Sequence, residues 1–266
     1  MRLTLSQDIK KVKLNLEPSR IASFADISLG SNNIILSPIQ NLQKKEGLAH
    51  LDELLETIVF WTAKTNGDQE FIKAQEEFVT FTTKVFYDDP IYHQWTSYFL
   101  DYFCFERGFK GAQNATPYQL FMESELVTGG LINTAIRAQI EDLSKFRHSV
   151  FRVLKRTNEL LVMQDLAEKR KIEVKSENDR YFSALVKGSC LQGFVFEIDG
   201  SFKLSMGLII HPKEVFKIIE KKAKKAFQCR ETKMALLSFL AKSHIAAKRL
   251  PKIDIRKVYQ NLTLGP

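Results

Sequence analysis

The spacing of apolar residues changes three times along this 266-residue chain, and each change limits what the local segment can become. Up to residue 42 the pattern is extended and turn-rich. Val12, Leu14 and Leu16 alternate with Lys13 and Asn15, and Ile34-Ile35-Leu36 stops at Ser37-Pro38. From 43 to 157 the steps are of three and four. Leu48, Leu51, Leu54, Leu55, Ile58 and Val59 form one stripe, ended by Asn66-Gly67. Asp68 then caps a helix along Phe71, Phe78 and Val85, and Pro90 starts another carrying Tyr92, Trp95, Phe99, Tyr102 and Phe103. Thr116-Pro117 opens a short fourth helix. After Gly129-Gly130 a fifth is expected from about Asn133 to Thr157, on Ile136, Ile140, Leu143, Val150 and Leu154.

The period then falls to two. Residues 159–166, 171–176, 181–187, 193–198 and 202–210 read as five short strands, with Asp199-Gly200 as a hairpin turn. Strands this short and closely spaced suggest a small barrel or curled sheet. His211-Pro212 ends them. One helix follows with Val215, Phe216, Ile219, Ala223 and Ala226 on its apolar face. Another starts near Arg230 with Leu236, Leu237, Leu240, His244 and Ala247 inward and ends at Pro251. The expected fold is α+β: a helical N-terminal region, a small barrel-like unit over 158–211, and C-terminal helices over 212–266. The extended segment 1–42 would add strands to the later sheet.

Charge divides along the same line. Residues 1–136 carry 12 Lys/Arg against 17 Asp/Glu, so the aromatic helical region over 43–157 begins acidic. Residues 137–266 carry 27 against 14, and the net +8 conceals this split. Such asymmetry points to an anionic partner for the second half, or to contact between the halves.

Lys213, Lys217, Lys221, Lys224 and Lys225 recur at three- and four-residue steps opposite an apolar stripe. A row of ammoniums one helical turn apart can follow a phosphate backbone and release its counterions. Lys169, Arg170 and Lys171 at a hairpin tip, and Arg152, Lys155 and Arg156 before it, add to the same charge. The same lysines would serve equally as a solvated helix face. A protein interface is the competing reading, with Tyr92, Trp95, Tyr98 and Tyr102 as aromatic anchors, against a helix simply buried in a bundle.

Two short resemblances remain. Asp165 followed by Glu173-Val174-Lys175 resembles the Asp…Glu-x-Lys arrangement of restriction-type nucleases, which implies two carboxylates on a divalent metal and a lysine at the attacking water. The spacing here is short, and the preceding proline of that family is missing. Asp26-Ile27-Ser28-Leu29-Gly30-Ser31 resembles the Asp-x-Ser-x-x-Gly turn of PilZ-type cyclic-dinucleotide receptors, and Arg152 to Arg156 is similar to their Arg-x-x-x-Arg element. That resemblance implies a cyclic dinucleotide held on one small barrel. Here the order is reversed, the two elements lie over a hundred residues apart, and Ser31 stands where the family has glycine.

Cys104, Cys190 and Cys229 form no CxxC or Cys–His pair, and the five histidines do not cluster, so no metal, cofactor or disulfide framework is expected. The first residues lack the apolar core of a secretory signal, and no apolar run is long enough to span a bilayer. There is no Gly-rich phosphate loop, G-x-S-x-G or H-E-x-x-H, and no residue is assigned a catalytic role. The expectation is a non-enzymatic cytoplasmic binding protein whose basic C-terminal half contacts nucleic acid or another polyanion. An adaptor using the aromatic helices, and a cyclic-dinucleotide receptor, are the alternatives.

Overall fold

Ser37 begins a helix where the sequence suggested a strand ending. Its hydroxyl accepts the Gln40 backbone N–H while Gln40 Oε1 accepts that of Ser37, and Pro38 supplies the pre-set first turn. The computed structural model describes residues 37–66, 68–109, 112–175 and 185–261. The strand-like stretch of 10–36 and the Asp26–Ser31 turn lie outside them.

The N-terminal helices are α1 (Pro38–Lys44), α2 (Leu51–Asn66), α3 (Asp68–Thr82), α4 (Tyr92–Phe105), α5 (Pro117–Met122), α6 (Glu125–Thr128) and α7 (Thr134–Asp142). The strands are β1 (Arg147–Arg156), β2 (Leu160–Asp165), β3 (Lys171–Lys175), β4 (Cys190–Ile198), β5 (Ser201–Leu204) and β6 (Ile209–His211). Three helices close the chain: α8 (Phe216–Ala226), α9 (Arg230–Arg249) and α10 (Ile255–Asn261).

The α+β class stands, but the long fifth helix does not. It stops at Asp142, and residues 147–156 are the first strand of the barrel. Phe151 and Val153 face the barrel interior while Val150 faces the C-terminal helices, so the strand is apolar on both sides and its period of two is hidden. The strand expected over 181–187 falls mostly outside the described residues, and its described part is not a strand.

Five strands close a ring in the order β1-β2-β3-β5-β4, with β4 pairing back to β1. All neighbours are antiparallel except β3 and β5, which meet in parallel at the single pair Val174–Phe202. Leu161, Met163, Ile172, Leu191 and Val195 join Phe151 and Val153 inside. The ring is a packed core, as expected for so few strands. β4 is buried along both faces: its outer side carries Phe194 and Phe196 against the α4 aromatics and Cys190 against α8. Both helical groups therefore lie on the β1–β4 wall.

The strand expected over 202–210 splits into β5 and β6. Ser205 Oγ donates to the buried Asp101 carboxyl and accepts the Gly207 N–H, which pulls the chain out of register against α4. A Cβ on Gly207 would lie 2.5 Å from Tyr98 Cα and 2.7 Å from Asp101 Oδ2. Because the clash is with backbone, Gly207→Ala is expected to cost about 1–3 kcal/mol, visible as an earlier urea midpoint.

The two halves of opposite charge are in contact. Arg230 pairs with Glu106 at 3.1 Å and Arg249 with Asp89 at 2.7 Å, while Ser238 Oγ donates to the Phe81 carbonyl. A chain of hydrogen bonds joins the same parts internally. Tyr98 on α4 meets His148 Nε2 (2.8 Å) on β1, and His148 Nδ1 meets Glu106 (2.9 Å). Gln192 on β4 donates to Tyr98 Oη and to the Leu237 carbonyl on α9. His211 on β6 joins Gln192 to Tyr259 on α10.

Candidate polyanion interface

α8 is amphipathic by construction. Val215, Ile219 and Ala223 are buried against Val150, Leu166 and Cys190 of the barrel and Leu236, Leu237 and Leu240 of α9. The opposite face is left with Lys217, Lys221, Lys224 and Lys225, and the 3-10 turn that leads into the helix adds Lys213, all exposed. None of the five has an ion-pair partner among the described residues. Contact between the halves is carried by Arg230 and Arg249, so it does not consume these lysines. Lys222 is different: its ammonium lies 4.2 Å from the Phe239 ring, covering apolar surface.

Arg152 is brought to this helix. Its guanidinium stacks 4.2 Å from the Phe216 ring at the start of α8, and its Nε is buried without a partner among the described residues. Of the other cations expected to join it, Lys155 and Arg156 do not. Both are exposed where β1 meets the start of β2, and Arg156 donates to the Leu185 carbonyl. Lys169, Arg170 and Lys171 lie at the other end of β2, about 17–20 Å from Lys155 and Arg156 for a six-residue strand. At that end Gln164 pairs with both Arg152 and Lys171, and Leu166 packs with Val215 and Ile219. There they serve the barrel itself: Lys169 donates to Leu166 O, and Arg170 lies over Phe202 within 3.9 Å of Glu197. The sequence reading missed Arg256 and Lys257, exposed on α10, whose apolar side packs with Val215 and Ile219. Five cations against Asp254 alone between residues 248 and 257 were the available signal.

The aromatic anchors are mostly internal. Trp95 and Tyr98 are buried, because α4 is enclosed by α2, α3 and β4, which removes them from any surface interface. Tyr102 is half-buried and stacked on Phe81, and Tyr92 is half-buried against Tyr87.

No catalytic arrangement emerges at the other candidates. Asp165 accepts from Ser149 Oγ and from the amides of Ala167 and Glu168, so it caps its turn, while Glu173 stands farther along β3 opposite Val162. Among the described residues no group of acidic, histidine or cysteine side chains could hold a metal. Burial pushes the Cys190 thiol up to about 12 and raises that of Cys104 well above its ordinary value, which suppresses thiolate chemistry at both. The linked groups Tyr98, His148 and Glu106 have the chemistry of a proton relay, but Tyr98 has no exposed surface and no substrate reaches it. The chain matches no protein-family model, no curated protein and no solved structure, and the lysine face of α8 stands on its own geometry.

Proposed function

We propose that this is a non-enzymatic binding protein that holds nucleic acid on the lysine face of α8. The observation that carries this reading is the division of that helix: one side buried in the core, the other presenting four exposed lysines, with Lys213 exposed in the turn before it, and none with a carboxylate partner among the described residues. Lys217, Lys221 and Lys224 recur at one helical turn, about 5.4 Å. Ammoniums at that spacing neutralise successive phosphates without reading base identity. Arg152 adds a fixed guanidinium at the head of the row, held by its ring contact with Phe216.

Fluorescence anisotropy with labelled single- and double-stranded oligonucleotides tests the reading. Four phosphate contacts should weaken binding about a hundredfold between roughly 50 and 200 mM salt. Changing Lys217, Lys221, Lys224 and Lys225 together to Glu should abolish binding while leaving the unfolding curve unchanged, since all four are exposed. Absence of binding at low salt refutes the reading.

A further inference from the structure

We propose that two adjoining turns, 83–91 and 250–254, form a peripheral docking surface for an anionic lipid bilayer. Eight large apolar side chains are strongly exposed among the described residues, and four of them lie here: Phe86 (51%), Tyr87 (45%), Leu250 (46%) and Ile253 (47%). The turns are held together by Arg249. Its guanidinium donates to the Lys84 carbonyl and to the Asp89 carboxylate and lies 5.5 Å from the Phe86 ring. The Lys84 ammonium approaches the same ring at 5.2 Å.

The charge around these side chains selects the occupant. Lys84, Lys248, Arg249, Lys252, Arg256 and Lys257 are exposed cations on these turns and the flanking helix ends. The acids are Asp88, Asp89 and Asp254. Asp89 is bound by Arg249 and by the Phe86 N–H, and Asp254 accepts the Arg256 N–H. An anionic bilayer interface satisfies both halves of the pattern. Leucine, isoleucine and phenylalanine enter the acyl boundary, tyrosine sits at headgroup depth, and lysine and arginine meet lipid phosphates. Nucleic acid would meet the cations and could stack on Phe86 and Tyr87, but it leaves Leu250 and Ile253 without a partner. The α8 lysines play no part here, and the two surfaces share only Arg256 and Lys257 of α10. It requires no membrane span, and no described helix is long and apolar enough to make one.

Co-sedimentation with phosphatidylcholine vesicles, with and without phosphatidylglycerol, provides the test. The protein should partition into the phosphatidylglycerol vesicles, and the double change Leu250→Ser, Ile253→Ser should weaken partition at least about tenfold. Both positions are exposed, so thermal unfolding should be unchanged. Ile253→Trp supplies a second readout, an emission blue-shift on addition of the same vesicles. Three results overturn the proposal: no partition into phosphatidylglycerol vesicles, equal partition of the double variant, or loss of partition only on the four α8 Lys→Glu changes. In the last case the helix face alone would be reading lipid phosphate.

Discussion

Replacing Gln192 with leucine should destabilise the protein by about 3–5 kcal/mol, since one to three are lost for each buried partner left unsatisfied. Gln192 is fully buried. Its Nε2 donates to Tyr98 Oη and Leu237 O, and its Oε1 faces His211 Nε2. The Glu106 carboxylate can only accept, which makes His148 Nδ1 a donor and His148 Nε2 the acceptor of the Tyr98 hydroxyl. In the same way the carbonyl oxygen of Gln192 makes His211 Nε2 a donor, and His211 Nδ1 takes the Tyr259 hydroxyl. Every link then has one direction, running from Tyr259 to Glu106. Leucine has similar bulk but neither donor nor acceptor, so Tyr98, His211 and the Leu237 carbonyl lose partners together. Urea unfolding of the variant should show the whole loss. A change below about 1 kcal/mol would mean that these groups find other partners.

Stability should also fall steeply in acid. Burial holds His211 well below its ordinary value, with His244 adding to the effect. Burial likewise brings His244 down to about 4 and lowers His148, where the Glu106 hydrogen bond pulls the other way. Each has a folded-state pKa below its unfolded one, so its contribution is present above about pH 6.5 and is lost as pH falls. Burial opposes the Glu106 carboxylate too, but the His148 hydrogen bond and nearby cations hold it down to about 2, extending the loss below pH 4.5. Asp101 acts with the opposite sign. Burial pushes its carboxyl up to about 8, so its contribution is complete below pH 3.8 and is lost as pH rises through 8. Three histidines oppose one aspartate between pH 6.5 and 4.5, and the net change there is a loss of stability. Unfolding midpoints across pH should therefore peak near neutrality, and Asp101→Asn should remove the alkaline decline while keeping the acid one. A flat profile from pH 4.5 to 6.5 would contradict the neutral, buried state of the histidines.

The fold class and most helix starts were legible in the sequence because caps and turns act locally. Thr116-Pro117, Asn133 and Asp199-Gly200 each sit where they were expected. β1 was not legible. Val150 and Leu154 continue the three- and four-residue steps of the preceding helix, and burial on both faces removes the alternation of a half-buried strand. The lysine face of α8 was readable from spacing alone. Its company was not: Arg152 reaches α8 only because β1 is a strand under that helix, whereas Lys155 and Arg156 lie at the other end of the β1–β2 ladder. Tyr98, His148, Gln192 and His211 come from four separate elements, and no spacing rule joins residues so far apart in sequence.

The ring of strands is not equally strong around its circumference. β1 shares long ladders with β2 and β4, but β3 and β5 share a ladder of one residue pair. A closed hoop under thermal load gives way at its narrowest join, and here that join is the one between β3 and β5. The barrel is therefore expected to open first between Val174 and Phe202, with the long β1–β4 ladder the last to part.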